Sequence, residues 1–269
     1  MFSVLLSLYK KEHPSQLRQS LNSLFSQTLP PNEIILVKDG PLTPELDTIV
    51  SDYAARFPFL KVVPLPQNQG LGKALNEGLK HCSYDIVARM DTDDIAKPDR
   101  FEKQMKVFEE HPELDLVGAW IDEFEGTPQH VLSIRRVPET SEQILAYCKK
   151  RCPVNHPVVM FRKSAVQAAG GYLHFPLFED YYLWVRMLKN GAKFYNIQES
   201  LLYFRTSPDM FKRRGGLKYA MDELRFQSMM RKMGMIGWKR FVLNVSIRFP
   251  ARIIPNSLRG FFYKKLMRK

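Results

Sequence analysis

The sequence predicts an α/β protein with a mostly parallel central sheet flanked by helices and a basic, helical C-terminal tail. Three observations carry this. Short apolar runs of strand length alternate with stretches at helical spacing, which is how a parallel sheet covered on both faces reads. One of these runs, Ile86 to Met90, ends abruptly at three carboxylates, Asp91, Asp93 and Asp94. Charge is segregated as well. Residues 225–269 hold 12 Lys and Arg and no Asp or Glu, which is the whole net charge of +12.

The elements follow in order. Phe2 to Leu8 reads as a buried first strand. Pro14, Leu17, Leu21, Leu24 and Phe25 then fall on one helical face, with Pro near its start. Glu33 to Lys38 is a second strand, closed by the turn signal Asp39-Gly-Pro. A helix over 45–57 leads to a short third strand over 60–64. Gln67 to Gly72 is a loop and Lys73 to His81 a helix. After the fourth strand at Ile86, a helix over 101–110 and a fifth strand over 114–121 complete the alternation. The pattern then changes. Gly126 marks a turn, 131–137 is extended, and 141–150 is helical. The segments Val154 to Phe161, Gly170-Gly171-Tyr172 and a helix opening at Glu179-Asp180 follow. Leu201 to Thr206 reads as a strand carrying Arg205 at its end.

Chemistry concentrates at the strand ends. Open parallel sheets bind ligands beyond the carboxyl ends of their strands, where Asp39 and Asp91 both fall. Three carboxylates packed together repel, and a divalent cation with oxygen ligands balances them. Helix capping ahead of Pro98 is the plainer explanation, but capping needs one carboxylate. A nucleotide laid along this rim would meet Asp39, the Asn68–Gly70 loop and the Asp cluster. Gly70 and Gly72 fit neither the dinucleotide fingerprint nor a P-loop. Lys73 is placed to neutralise phosphate, or is a surface lysine. Glu179 and Asp180 suit a helix N-terminus, and equally suit a general base facing the cation. On local sequence His156, beside Pro157, reads as a hydrogen-bonded structural histidine.

Taken together these residues resemble glycosyltransferase family 2, whose members are inverting enzymes with a GT-A (Rossmann-like) fold. The resemblance runs from Phe2 to Thr206. It rests on Ser7-Leu-Tyr9, Val37-Lys-Asp-Gly40, Asn68 through Asn76, Ala88-Arg-Met-Asp-Thr-Asp-Asp94 with Pro98 and Arg100, Asn155-His-Pro157, Gly170-Gly171-Tyr172, and Glu179-Asp180 with Leu183-Trp184. The subgroup looks like bacterial enzymes of capsule, exopolysaccharide or O-antigen synthesis. The resemblance implies a nucleotide-sugar donor, most often a UDP-sugar, and a divalent Mn²⁺ or Mg²⁺. It implies Asp180 as catalytic base and Asp93 with Asp91 as metal ligands. The donor would be bound by Leu8, Tyr9, Glu12, Asp39, Asn68, Gly70, Lys73, Arg89, Asp91, Thr92 and Arg205. The acceptor would meet Asp94, His156, Glu179 and Trp184. Two departures stand out. Lys38 replaces the first of two acids common before Gly40, and Leu75 stands where an arginine is usual.

On this basis residues 1–215 form the catalytic domain, with 1–121 the nucleotide-sugar half and 122–215 the acceptor half. Residues 216–269 form a basic amphipathic tail. In the tail Trp238, Phe241, Val242, Val245 and Phe249 recur at helical spacing, followed by Phe261, Phe262 and Leu266. That composition suits either an anionic membrane surface or packing on the catalytic body. Arg213 and Arg214, beside Gly215-Gly216, are candidates for contact with pyrophosphate or a phosphate-bearing acceptor. Cys82, Cys148 and Cys152 do not make a disulfide framework, and no secretory leader precedes Met1. The expected location is cytoplasmic, peripheral at the inner face of the cell membrane. The expected acceptor is a glycan or lipid-linked oligosaccharide. The near-neutral body argues against nucleic acid as a partner. A non-catalytic nucleotide-sugar-binding module and a metal-dependent phosphohydrolase remain the alternative readings.

Overall fold

A computed structural model describes residues 1–207 and 215–253. Arg213, Arg214, Phe261, Phe262 and Leu266 lie outside the described residues. The chain opens with β1 (Ser3–Leu8), α1 (Pro14–Phe25), β2 (Glu33–Lys38), α2 (Pro44–Arg56), β3 (Leu60–Pro64), α3 (Leu71–His81) and β4 (Ile86–Arg89). Then come β5 (Ile95–Ala96), α4 (Arg100–Glu110), β6 (Leu116–Phe124), β7 (Val131–Arg135) and α5 (Ser141–Cys148). A 3₁₀ turn at His156–Val158 leads into β8 (Met160–Arg162) and α6 (Lys163–Ala168). The chain continues through α7 (Glu179–Lys189), β9 (Phe194–Arg205), α8 (Leu217–Lys232) and α9 (Trp238–Ile253).

The strands line up as β3-β2-β1-β4-β8-β6-β9-β5, with β7 added beside the outer half of β6. The first four are parallel, as the sequence predicts. Their side chains alternate between two cores. Val4, Leu6, Leu8, Ile34 and Leu36 pack under α1, α2 and α4. Leu5, Ile35 and Val37 pack under α3 and α7. Burial on both faces is why these strands read as unbroken apolar runs. On α3, Gly78 lets the helix lie directly on the sheet. A Cβ there would come within 2.7 Å of Val37 Cγ2 and closer still to Leu5.

The second half departs from the parallel pattern. β8 is antiparallel to both β4 and β6. Its direction follows from where the chain enters the sheet. The preceding turn sits at the carboxyl edge, where Arg89 N–H donates to Val159 O at 2.9 Å, so the strand runs back from that edge. This brings Asn155 and His156 to the rim that carries Asp39 and Asp91. β9 is longer than the expected strand over 201–206. It runs parallel to β6, and its end pairs antiparallel with β5, just after the Asp cluster.

The boundary expected at residue 216 falls inside a core. On α8, Phe226 packs on Phe178 and Tyr181, with ring centroids 4.9 and 4.6 Å apart. Tyr219, Met230, Met235 and Ile236 join the same cluster. α9 is fastened to α8 through the buried Glu223, which pairs with Arg248 and with Arg252 (2.8 Å). Among the described residues no helix is long and apolar enough to cross a membrane.

Candidate active site

Asp39 stands just beyond β2, buried, with its backbone N–H donating to Leu8 O at 2.8 Å. Its carboxylate straps down the loop after β3. Oδ1 accepts from Gln69 N–H at 2.7 Å, and Oδ2 accepts from Gly70 N–H at 3.0 Å and Asn68 Nδ2 at 2.8 Å. Three of about four lone-pair sites are therefore filled within the chain. The neighbouring Gly40 has φ +86°, and a Cβ there would lie 2.6 Å from Asn68 N, so only glycine lets loop and strand meet this closely. Gly70 is the N-cap of α3, which turns the positive end of that helix toward the rim. Lys73 in its first turn is exposed to solvent.

At the end of β4 the acids come together. Asp91, Asp93 and Asp94 offer carboxylate oxygens that all lie within 4.8 Å of one another. Neither Asp91 nor Asp93 caps α4, whose N-cap is Asp99. Burial, and then Asp91, push Asp93 up to about 6. Burial, Asp93 and Asp91 push Asp94 well above the carboxylate range. Asp94 is fully buried. Its Oδ1 accepts from Arg205 N–H at 2.8 Å, and its Oδ2 has no hydrogen-bond partner among the described residues. Asp91 is partly balanced within the chain. Arg89, buried at the end of β4, forks onto both of its oxygens, with Nη1–Oδ2 at 2.6 Å.

Tyr172 joins these two groups. Asn76 on α3 clamps its backbone in both directions, donating to Tyr172 O at 2.7 Å and accepting from Tyr172 N–H at 2.8 Å. The Tyr172 hydroxyl meets His156 Nε2 at 2.9 Å. Burial raises that hydroxyl's pKa, and the charges of Arg89, Asp180 and Asp91 are all felt there. Burial, and then Arg89, hold His156 well below its ordinary value. The first turn of α7 lies alongside: a Cβ on Gly72 would be 3.5 Å from Glu179 Cγ and 3.4 Å from Tyr172 Cβ. Burial raises Glu179, with Asp180 adding to it. Asp180 follows in the same turn, half-buried.

Asp39, Asn68 and Gly70 thus form one hydrogen-bonded group and Asp91, Asp93 and Asp94 another, while Tyr172 is bonded to Asn76 and His156 and feels the charges of both Asp91 and Asp180, with Glu179 beside Asp180. Leu8 and Thr92 are buried beside it, with Thr92 Oγ1 3.5 Å from Ser7 O. Tyr9 and Glu12 are half-buried after β1. Several expectations need correction. Trp184, expected on the acceptor, is 0% exposed and stands edge-on to His156 at 5.8 Å, so it walls the site from within. Arg89, expected on the donor, spends its fork on Asp91. Arg205, expected on the donor, bonds Asp93 O (2.9 Å), Gly126 O (3.2 Å) and Gln19 Oε1 (2.7 Å), and so pins the Asp loop. Asp94, expected on the acceptor, is sealed into the carboxylate cluster. Asn76 and Tyr172 stood within recognised motifs, but nothing in their spacing showed that they bind each other.

The carboxylate cluster passes a chemical test for a hard divalent cation. It is an all-oxygen set, and a buried carboxylate oxygen without a partner among the described residues is what an oxygen-seeking ion would satisfy.

Comparison with known proteins bears on the family and the fold. The family model described as Glycosyl transferase family 2 matches residues 3–168. The chain is 42% identical to the amylovoran biosynthesis glycosyltransferase AmsE of Erwinia amylovora, covering 98% of both chains. It is 38% identical to the UDP-Gal:alpha-D-GlcNAc-diphosphoundecaprenol beta-1,3-galactosyltransferase of Escherichia coli, covering 100% of this chain and 97% of that one. Among solved structures, a mannosyltransferase from Pyrobaculum calidifontis with GDP-Man and Mn²⁺ has the same fold. Its TM-score is 0.64 at 14% identity, over 98% of this chain and 75% of that one.

Proposed function

Because this chain belongs to glycosyl transferase family 2, as a glycosyltransferase of polysaccharide biosynthesis, we propose that it is an inverting, metal-dependent enzyme. It moves a sugar from a UDP-sugar to a hydroxyl of a lipid-linked or polysaccharide glycan. The observation that carries this reading is the set Asp91, Asp93 and Asp94, close enough to Asp180 that the charges of Asp91 and Asp180 both act on the Tyr172 hydroxyl.

The roles follow from charge. Asp93, Asp91 and Asp94 are the residues that would hold Mn²⁺ or Mg²⁺, which supplies Lewis-acid stabilisation of a departing diphosphate. The loop fixed by Asp39 and the N-terminus of α3 receive the nucleotide, with Lys73 available to its phosphates. Asp180 accepts the proton of the acceptor hydroxyl as that oxygen attacks the anomeric carbon from the face opposite the leaving group. Glu179, raised by burial, lends a second oxygen donor or acceptor to the acceptor sugar. His156 and Tyr172 hold the floor between donor and base. The UDP preference rests on the Escherichia coli relative, whose name gives UDP-Gal as donor and a diphosphoundecaprenol-linked acceptor. A lipid-linked acceptor would keep the enzyme peripheral at the inner face of the cell membrane.

The test is a melting-temperature series with UDP, GDP, dTDP and their sugars, each with and without Mn²⁺. UDP and UDP-sugars raise the melting temperature, and more so with Mn²⁺. Equal shifts with and without the ion remove the metal from the reading, and a larger response to GDP removes the uridine preference.

A further inference from the structure

The outward face of α9 has no counterpart in the reaction. Helical spacing alone groups Trp238, Phe241, Val242, Val245 and Phe249 as one apolar stripe. The structure divides that stripe. Phe241 packs against the core, and Asn244 is buried, donating to Lys149 O (2.9 Å) and Gln227 Oε1 (2.8 Å). Arg248 and Arg252, on the same side, hold Glu223. What faces solvent is a different set: Trp238 (62% exposed), Val242, Leu243, Ile247 (63%) and Ile253. The exposed Lys239 stands among them, and Arg231 covers the Trp238 ring at 4.8 Å.

We propose that this face docks on an anionic lipid leaflet, with Trp238, Val242, Leu243 and Ile247 entering the interface. Charge selects this occupant. Residues 225–269 contain 12 Lys and Arg and no acid, so a second copy laid on the same face would set like charges together. The basic stretch 254–269, which follows in sequence, carries the same sign as Lys239 and Arg240. A negatively charged surface meets both the apolar face and the basic residues around it, and each Lys or Arg near such a surface strengthens the attraction. The inference deepens the peripheral-membrane reading above and is independent of whether sugar transfer occurs.

The test is co-sedimentation of the full chain with phosphatidylcholine vesicles, with and without phosphatidylglycerol. The pair Leu243→Gln and Ile247→Gln removes apolar area without adding charge. Wild type binds the anionic vesicles, binds the neutral ones poorly, and is released by salt. The double variant binds the anionic vesicles about tenfold or more weakly, with its melting temperature and its UDP-induced shift unchanged. Unaltered vesicle binding by the double variant overturns the proposal. So does a fall in its melting temperature, which would mean that the chain itself covers the face. A wild-type dimer that the substitutions split would assign the face to a second copy instead. Failure of the nucleotide series with intact vesicle binding would sink the transfer reading alone.

Discussion

Replacing Asp39 by Asn separates two roles for this carboxylate, holding the loop and touching the nucleotide donor directly. It receives Gln69 N–H at 2.7 Å, Gly70 N–H at 3.0 Å and the Asn68 amide at 2.8 Å. Asparagine keeps one acceptor oxygen and turns an NH₂ toward at least one of these donors. A hydrogen bond to a charged group contributes about 1.5–3 kcal/mol, and a donor facing a donor in a buried site adds a desolvation cost. At roughly 2–4 °C per kcal/mol for a chain of this size, the ligand-free protein should melt about 5–10 °C lower. Nucleotide affinity should fall too, because the loop and the start of α3 lose their strap. Differential scanning fluorimetry without ligand, beside a UDP titration, reads both effects. If ligand-free melting is unmoved while UDP binding collapses, the carboxylate touches the nucleotide donor directly and the strap argument is refuted.

Three further outcomes are expected. Asp180→Asn should keep the UDP-dependent melting shift but lose transfer by about 10²–10⁴, the usual worth of a general base; near-normal turnover would remove it from the reaction. Asp94→Asn keeps the oxygen that accepts from Arg205 N–H and relieves a buried carboxylate whose charged form is disfavoured. It should leave ligand-free stability equal or higher and abolish the Mn²⁺-dependent part of nucleotide binding; reduced stability with intact Mn²⁺ dependence would count against a ligand role. Glu33 is carried down to about 2, because its bonds with Lys61, Ser3 and Ser83 outweigh the opposing effect of burial. Its contribution, about 3 kcal/mol, is present above pH 4.5 and lost as pH falls toward 2, so Glu33→Gln should flatten the acid limb of the stability curve. Parallel acid unfolding curves for the two proteins would refute this.

The parallel half of the sheet and its rim were legible in the sequence because each strand there is short, apolar and closed by a turn or an acid. The positions of Asp39 and Asp91 follow from that alternation alone. Other features depend on tertiary contacts that no local period reveals. Val154 to Phe161 has the same apolar composition in either strand direction, and only the chain's entry at the carboxyl edge reverses β8. Arg89 reads as a strand-end cation open to ligand, and its commitment to Asp91 is set by side-chain geometry. Trp184 shares a helical period with the half-buried Asp180 as well as the buried Met187 and Leu188, and its place in the core, 6.5 Å from Phe161 of β8, is set by tertiary packing. In α9 helical spacing gives one apolar stripe, and the burial of Phe241 and the bonds of Asn244 decide which of its residues face inward.

The clamp between Asn76 and Tyr172 ties residues 96 positions apart. β8 likewise fills the sheet position beside β4 with a strand from late in the chain. Synthesis therefore reaches residue 121 with the lower edge of β4 still unpaired and no floor under the future site. A fragment ending there would expose a ready template for strand addition, and should self-associate instead of surviving as a free-standing nucleotide binder. Recombining either half with the corresponding half of a relative would require both sides of that seam to match.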